Sequence, residues 1–365
     1  MTYKQKIGRE LKDFFRLKPQ NRPWAVPILA MMCVGSPLFI GLAMGNILPA
    51  LTVSFSGLVI LYMPVKANFV SRMTKLLVCS FGFMVSYSLG LIFSFHPIAS
   101  FVAFAVFCGV IHYISLWLKL GGPGSFFFIM LATMGGSATF NPSIIPRQIG
   151  LVAMGTMLAC IFALIYSLIT RESDEWQKSK DVITTVPLNR YADSVEAFIV
   201  GIFMLIAMVI GHAFGFKKPY WIPVSCIAVM QGATTKHIWT RGLHRIIGTW
   251  VGMVLCWAIL SLVKDLVLLC VLIAALQFIV EVFVTRNYGL AVIFITPLTV
   301  LLVEAGSPLA QHPTELIATR MVDVLIGSVI GAIGGWFVYN EKIRYQAVKR
   351  IRMTRVFLKR GKTLS

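Results

Sequence analysis

The stretch from Thr234 to Leu255, "TTKHIWTRGLHRIIGTWVGMVL", leads a group of cations directly into an apolar helical pattern. Arg241, Arg245, Gly248 and Gly252 follow steps of four, three and four, which places them on one face of a helix. A planar guanidinium group binds a carboxylate through two hydrogen bonds, and glycines let a neighbouring helix approach closely. This face predicts anion binding beside a close helix contact, with simple anchoring of the cations at a membrane surface as the alternative.

The last apolar run carries a similar face, because Arg320, Asp323, Gly327 and Gly331 follow steps of three and four. The spacing allows Arg320 and Asp323 to pair on one helical turn. An acid inside an apolar run is a functional candidate, because burying its charge is costly. We therefore treat Asp323 and Glu281 as candidate proton carriers. For Glu281, pairing with Arg286 or contact with the membrane surface is an equal alternative.

These residues lie in a chain with the composition of a multi-pass membrane protein. Of its 365 residues 58% are hydrophobic and 13% are charged, whereas soluble domains carry about 25% charged residues. The runs predict an all-α polytopic membrane protein of about twelve helices, and of ten to twelve spans because four runs are short or weak. The predicted helices lie near 24–45, 47–62, 73–95, 98–118, 123–140, 147–170, 192–214, 219–232, 243–263, 265–284, 288–304 and 319–340.

The distribution of Lys and Arg predicts the orientation. With twelve spans, 28 of the 33 cations fall on one side, and the other five are Arg147, Lys217, Lys218, Lys264 and Arg320. Because Lys and Arg favour the cytoplasmic side, both termini are predicted to be cytoplasmic. The net charge of +19 therefore reflects cations on one membrane face and does not indicate nucleic-acid binding. Membrane lipids are the predicted partner of the basic tail.

A weak internal repeat divides the chain into two similar halves. Residues 51–82 align with 222–252, so that Lys75 meets Arg245 and Gly82 meets Gly252. The domains predicted from this repeat are a basic N-terminus, a first six-helix half, a linker, a second six-helix half and a basic tail. Their bounds are 1–23, 24–170, 171–191, 192–340 and 341–365.

Two pairs of helices at matching positions of the halves are short: the second and eighth, and the fifth and eleventh. Proline lies in both members of the first pair, at Pro49, Pro64, Pro219 and Pro223. Short, broken helices in matching positions are typical of a substrate path between two repeats. The alternative is the ordinary tolerance of membrane helices for proline.

No motif indicates an enzyme, a cofactor or a metal site. The six histidines are scattered without ligand spacing, and the sequence lacks Walker A, GxGxxG and GxSxG patterns. We therefore predict no catalytic residue, no cofactor and no metal.

The second half resembles the fusaric acid resistance-like (FUSC) family, which includes the aromatic acid exporters. The resemblance lies in the tryptophan-proline run Trp221–Gln231, in the Arg-x-x-Gly-Thr-x-x-Gly run Arg245–Gly252, in the span from Tyr288, and in Arg320 with Gly327. It implies a permease of the bacterial inner membrane, and Gln231 and Arg320 of these motifs join the candidate substrate-binding residues. Many such exporters carry a large soluble domain between their halves, whereas this chain has about twenty residues there.

Three functions are compatible with these patterns. The first is a secondary exporter of small organic, in particular aromatic, acids, in which Arg241, Arg245, Arg72 and Lys75 gather anions at the cytoplasmic mouth and a proton is one candidate coupling ion. The second is a passive organic-anion channel with the same cations as a funnel. The third is a scaffold of an envelope assembly, and the sequence leaves open a homo-oligomer or an envelope adaptor as partner.

Overall fold

The computed structural model of the protein describes residues 17–19, 22–65, 67–170, 190–216, 218–232, 234–304 and 313–342, with Tyr345, Gln346 and Lys349. The elements of this part are α-helices, with one 3₁₀ helix and no β-strand. The helices are α1 Ala25–Ala43, α2 Ile47–Ser56, α3 Phe69–Phe93, α4 Pro97–Trp117, α5 Phe126–Gly136, α6 Ile145–Ile169, α7 Arg190–Ala213, α8 Trp221–Met230, α9 Thr235–Leu262, α10 Leu266–Val284, α11 Tyr288–Glu304 and α12 Pro313–Tyr339. The 3₁₀ helix Gly57–Tyr62 continues α2. The predicted linker and most of the two basic ends lie outside the described residues.

Eight helices of the described residues are long and apolar enough to cross a membrane: α1, α3, α4, α6, α7, α9, α10 and α12. The other four, α2, α5, α8 and α11, have 10 to 17 residues and form the two short pairs noted in the sequence. The polytopic all-α membrane fold is thus confirmed. The number of helices that cross the bilayer completely and the side of the termini stay predictions.

Three helices begin before the apolar runs that predicted them. α3 begins at Phe69 and not near 73, α9 at Thr235 and not near 243, and α12 at Pro313 and not near 319. The start of α9 has a local cause, because the Thr234 side chain accepts a hydrogen bond from the backbone N–H of His237 and caps the helix. Hydropathy does not detect such polar first turns, and Arg241 consequently lies inside α9.

The same turn ends the first helix of each half. Gly45 after α1 and Gly215 after α7 have φ of +69° and +66°, in the left-handed region that glycine adopts most easily. In each turn the glycine N–H bonds the carbonyl three residues back, and the next N–H bonds the carbonyl five residues back. This is the Schellman motif that closes a helix C-terminus. Each half therefore begins with a long helix, a glycine turn and a short helix.

Helix packing is also repeated between α1–α6 and α7–α12. Six pairs of the first group, α1·α2, α2·α6, α1·α6, α3·α5, α3·α6 and α4·α5, each have a counterpart six helices later, whereas the contact of α3 with α4 is not among the repeated ones. Contacts between the two groups also follow the repeat: α4 packs on α7 as α10 packs on α1, and α5 packs on α8 as α11 packs on α2. The two groups therefore repeat one architecture around a common centre, to which the four short helices contribute.

Glycines set the close contacts of α9 and α12. A Cβ at Gly248 would lie 2.9 Å from the carbonyl oxygen of Gly289, and one at Gly252 would lie 2.5 Å from that of Ile293, both on α11. Gly327 and Gly331 of α12 meet the backbone of α8 in the same manner. In a membrane, helices associate through close packing because lipid is as apolar as their side chains. These glycines allow the backbones of the short helices α8 and α11 to be held closely.

Candidate functional site

The four short helices surround a cavity of about 300 Å³. Phe55 of α2, Phe126 of α5, Trp221 of α8 and Tyr288 of α11 all line it, and α9 and α10 complete the wall. Along α11 the lining runs from Tyr288 to Leu302, which corresponds to roughly 21 Å at the rise of an α-helix. The cavity is therefore elongated along the helices and is walled by both halves.

The lining reaches one end of the bundle. Arg22 before α1, Gly122 before α5, Gln231 after α8 and Thr285 after α10 line the cavity at this end. Among the described residues, none of the loops at the other helix ends, 44–46, 94–96, 137–144 and 263–265, contributes to the lining. The end that it reaches is the one to which the distribution of Lys and Arg assigns the cytoplasm.

Arg245 is the buried cation of this cavity. Its side chain comes from α9 and is 5% exposed. Its Nε makes no hydrogen bond, and among the described residues no acid forms an ion pair with its guanidinium group. Buried charges in proteins are normally paired, because desolvation costs several kcal/mol per ion. An anion inside the cavity would supply the missing partner.

Two further donors in the cavity lack a partner within the described part of the chain. They are the side-chain amide nitrogen of Gln277 on α10, which is 1% exposed, and the hydroxyl group of Tyr288 on α11. An unmet buried donor costs about 1–3 kcal/mol. Together with Arg245 they form a set of donors that suits a ligand rich in acceptor atoms, such as a carboxylate.

Arg241 lines the same cavity one helical turn before Arg245. Its guanidinium carbon lies 4.1 Å from the centre of the Tyr288 ring, and its Nε donates to the carbonyl oxygen of Ala228 at 3.0 Å. These contacts fix the arginine at the mouth and hold the Tyr288 ring in place. Arg241 therefore adds positive potential to the mouth and orients one donor of the site.

Glu281 is the acid of the cavity lining, one helical turn after Gln277. It is 4% exposed, and its Oε2 lies 3.0 Å from Nη1 of Arg22. The alternative pairing with Arg286 is wrong, because the ion pair of Glu281 is formed with Arg22, while the Nε of Arg286 donates to the backbone oxygen of Lys18. The chain before α1 thus reaches the cavity, which an apolar pattern beginning at residue 24 did not predict.

Arg320 and Asp323 lie on α12 and are not among the described residues that line the cavity. Both are buried, with 3% and 0% exposed. The Arg320 guanidinium lies over the Trp221 ring, and its Nη2 donates to the hydroxyl group of Thr299 at 3.0 Å. Trp221 and Thr299 line the cavity, whereas Arg320 does not. Arg320 therefore supports the lining from outside, and pairing of Arg320 with Asp323 stays a prediction.

Arg72 and Lys75 are not part of the cavity, contrary to the expected grouping with Arg241 and Arg245. Arg72 donates to the Ser167 hydroxyl and to the carbonyl oxygen of Val65, while Lys75 donates to that of Leu120. Their cationic groups are thus engaged by α6 and by two loops. The sequence shows a cation near the start of a helix in both halves, which led to the expected grouping. It does not reveal the partners of Arg72 and Lys75, because some of them lie far away along the chain.

Gln231 lines the cavity, as its place among the candidates implied. Its side-chain amide donates to the carbonyl oxygen of Pro123 at 2.8 Å, so this donor is already used. The sequence argument missed Gln277, Tyr288 and Arg22. For Gln277 a signal existed, because an amide inside the apolar run "IAALQFIVEVFV" is as unusual as the acid that follows it.

Comparison with known proteins supports the resemblance in the second half. Residues 206–334 match the model of a family described as Fusaric acid resistance protein-like. The matched range runs from α7 to α12 and contains Arg241, Arg245, Gln277 and Glu281. The resemblance inferred from the motifs is thus confirmed for this part of the chain.

A segment of 147 residues is 37% identical to the "Uncharacterized membrane protein YvaC" of Bacillus subtilis (strain 168). The match covers 40% of this chain and 23% of that protein, so the chain spans less than a quarter of the length of this relative. No solved structure matches the chain significantly. These similarities agree with a multi-pass membrane protein and name no substrate.

Proposed function

From the premise that its second half is related to the fusaric acid resistance-like family, we propose that this membrane protein is a secondary exporter of small organic acids, aromatic acids among them. Its location would be the inner membrane of a bacterium. The observation that carries the proposal is Arg245, a buried cation without an acidic partner among the described residues, in a cavity that reaches one end of the bundle.

The lining fits an anion with an apolar body. Arg245, Gln277 and Tyr288 would bind the carboxylate, and their unmet donors favour a ligand that satisfies all three. Phe55, Phe126, Phe127 and Trp221 supply aromatic surface for a ring. A carboxylate would thus restore the pairing that Arg245 lacks, while its apolar part replaces water in the cavity.

The repeated packing supports transport by relative movement of the two halves. Each half contributes two short helices to the cavity wall, and the helix contacts between the halves occur in two equivalent sets that follow the repeat. Rocking of such repeats around a central site is the usual basis of alternating access. Glu281, which lines the cavity, and Asp323, which is buried on α12, are the candidate carriers of a proton moved in exchange.

A passive organic-anion channel is the alternative, with Arg241 and Arg245 as an electrostatic funnel. A conducting channel needs a path to both membrane faces, whereas the lining among the described residues reaches one end of the bundle. This observation favours a carrier that opens to one side at a time.

The direct test is uptake of radiolabelled benzoate into proteoliposomes with and without an imposed pH difference. Arg245→Ala is compared with Arg147→Ala, which removes an exposed arginine outside the cavity. We expect accumulation driven by the pH difference in the parent protein and in Arg147→Ala. In Arg245→Ala we expect a loss of about 100-fold or more, because an anion would lose its buried charged partner.

Downhill flux of benzoate that does not depend on the pH difference but is lost in Arg245→Ala would identify the channel. If benzoate and a panel of other organic acids show no flux above that of protein-free liposomes, organic-acid transport is excluded. Equal losses in both variants would show that the arginine effect is not specific to the cavity.

A further inference from the structure

We propose that Glu281 forms a second subsite of the cavity, which binds a cationic group of the cargo, and that Arg22 of the same chain occupies this subsite in the structure. The inference rests on the proposed function, because it assumes that the cavity binds an organic acid. It narrows the cargo to organic acids that also carry an ammonium or guanidinium group, such as aromatic amino acids and aminoalkyl benzoates.

The Glu281 carboxylate requires a positive partner. Glu281 is 4% exposed and belongs to α10, a helix long enough to cross the membrane. Burial of an ionised carboxylate costs several kcal/mol unless a cation or several donors compensate it. The Arg22 guanidinium, 3.0 Å away, provides this compensation. Whenever Arg22 leaves, Glu281 needs another positive partner or a proton.

The two partners of this ion pair differ in their exposure to solvent. The Arg22 side chain is 27% exposed and that of Glu281 is 3% exposed. Arg22 precedes α1, whereas Glu281 is fixed in the wall. A guanidinium at the edge of the solvent can rehydrate at small cost, but a carboxylate on a packed helix cannot follow it. The pair therefore consists of a fixed anion and an exchangeable cation.

Two hydrogen bonds between Lys18 and Arg286 hold Arg22 near the cavity without burying it. The Lys18 N–H donates to the carbonyl oxygen of Arg286 at 3.2 Å, and Nε of Arg286 donates to the Lys18 oxygen at 3.1 Å. These bonds attach the chain before Arg22 to the turn after α10. A tethered group has a high effective concentration at its site, so Arg22 acts as an internal competitor for any cationic ligand.

Glu281 shares the cavity with hydrogen-bond donors. Gln277 lies one helical turn before it on α10, so the unmet amide donor and the carboxylate share a face toward the cavity. Arg245 and Tyr288 provide the other donors. A ligand with both a carboxylate and a cationic group would satisfy the donors and the acceptor together. A simple acid would satisfy the donors and leave Arg22 in place.

The test compares matched ligands on purified full-length protein in nanodiscs by isothermal titration. One pair is 3-phenylpropionate and phenylalanine, which place the ammonium beside the carboxylate. The other is 4-methylbenzoate and 4-(aminomethyl)benzoate, which place it across the ring. The variants are Glu281→Gln, Arg22→Gln and, as a control, Glu196→Gln, whose carboxylate bonds His112 outside the cavity.

We expect the ammonium ligand of at least one pair to bind the parent protein more tightly than its uncharged counterpart. Glu281→Gln should weaken the ammonium ligand about tenfold or more and its counterpart less than about threefold, because one ligand alone uses the carboxylate. Arg22→Gln should strengthen the ammonium ligand severalfold by removing the competitor. Glu196→Gln should change neither.

Equal effects of Glu281→Gln on both members of each pair would overturn the subsite and assign Glu281 to the proton or to the fold. The subsite is also overturned if the acids bind in an Arg245-dependent manner and no ammonium ligand is preferred, while the proposed function then stands. If no ligand of either pair binds the parent protein, the proposed function and the subsite fail together.

Discussion

Arg72 and Arg245 lie on the third helix of their halves, α3 and α9, and are buried to nearly the same degree, with 7% and 5% exposed. Arg72 bonds Ser167 and Val65, and its guanidinium lies over the Tyr166 ring. Arg245 has no such contacts among the described residues and lines the cavity. The first half thus engages its buried cation in contacts with its own residues, whereas the second half leaves one without such contacts in the cavity, where we propose that it binds the ligand.

The replacement of each arginine by methionine gives the largest contrast. Arg72→Met should lower the free energy of unfolding by about 2 kcal/mol, because two hydrogen-bond partners lose their donor. Arg245→Met should leave this free energy unchanged or raise it, because an unpaired buried charge is replaced by an apolar chain of similar length. Benzoate affinity should fall about 100-fold in Arg245→Met alone, as titration in nanodiscs would measure.

Thermal melts of both variants without ligand provide the control for this contrast. A lower melting temperature for Arg245→Met than for Arg72→Met would show that Arg245 stabilises the fold. The two halves would then not differ in the way the contacts indicate, and the loss of benzoate binding would be explained by the fold.

The glycines that align in the repeat give the second contrast. A Cβ at Gly252 would lie 2.5 Å from a backbone oxygen of Ile293, whereas a Cβ at Gly82 would meet the ring of Phe128 at 2.6 Å. A ring can turn aside but a backbone cannot move without its helix. Gly252→Ala should therefore destabilise the protein by about 1–3 kcal/mol and Gly82→Ala by less, in equilibrium unfolding or melting experiments.

Gly150→Ala serves as the reference for both glycines, because nothing lies within 4 Å of the added Cβ. It should be neutral or slightly stabilising, since alanine favours a helix by about 1 kcal/mol over glycine. Equal destabilisation by Gly82→Ala and Gly252→Ala would show that α5 is held as rigidly as α11.

The sequence predicted the helical membrane fold, the repeat and the face that carries Arg245, because these follow from local hydropathy and helical spacing. Hydropathy also located Glu281, as an acid inside an apolar run, but not its partner, since Arg22 is 259 positions away. Arg72 and Arg245 have one signature in the sequence, a cation near the start of a span. Their difference depends on Ser167 and Val65, which only the folded chain brings to Arg72.

The smallest contrast concerns two hydrogen bonds to one loop. Tyr62 ends the 3₁₀ helix that continues α2 and donates to the Gly124 carbonyl oxygen at 2.7 Å. Gln231, which follows α8 at the corresponding place of the second half, donates to the Pro123 carbonyl oxygen at 2.8 Å. Tyr62→Phe and Gln231→Leu should each cost about 1 kcal/mol of stability. The bond of Tyr62 stays within one half, whereas that of Gln231 joins the halves.

If the halves move against each other during transport, the bond of Gln231 must break in each cycle and that of Tyr62 need not. Gln231→Leu should therefore change kcat for benzoate uptake severalfold with little change in KM, and Tyr62→Phe should leave both within about twofold. Initial rates in proteoliposomes at several benzoate concentrations separate the two parameters. A rise in KM of about tenfold for Gln231→Leu would instead assign its amide to the bound acid, as the motif in the sequence suggested. Gln231 would then combine the structural role of Arg72 with the ligand-binding role proposed for Arg245.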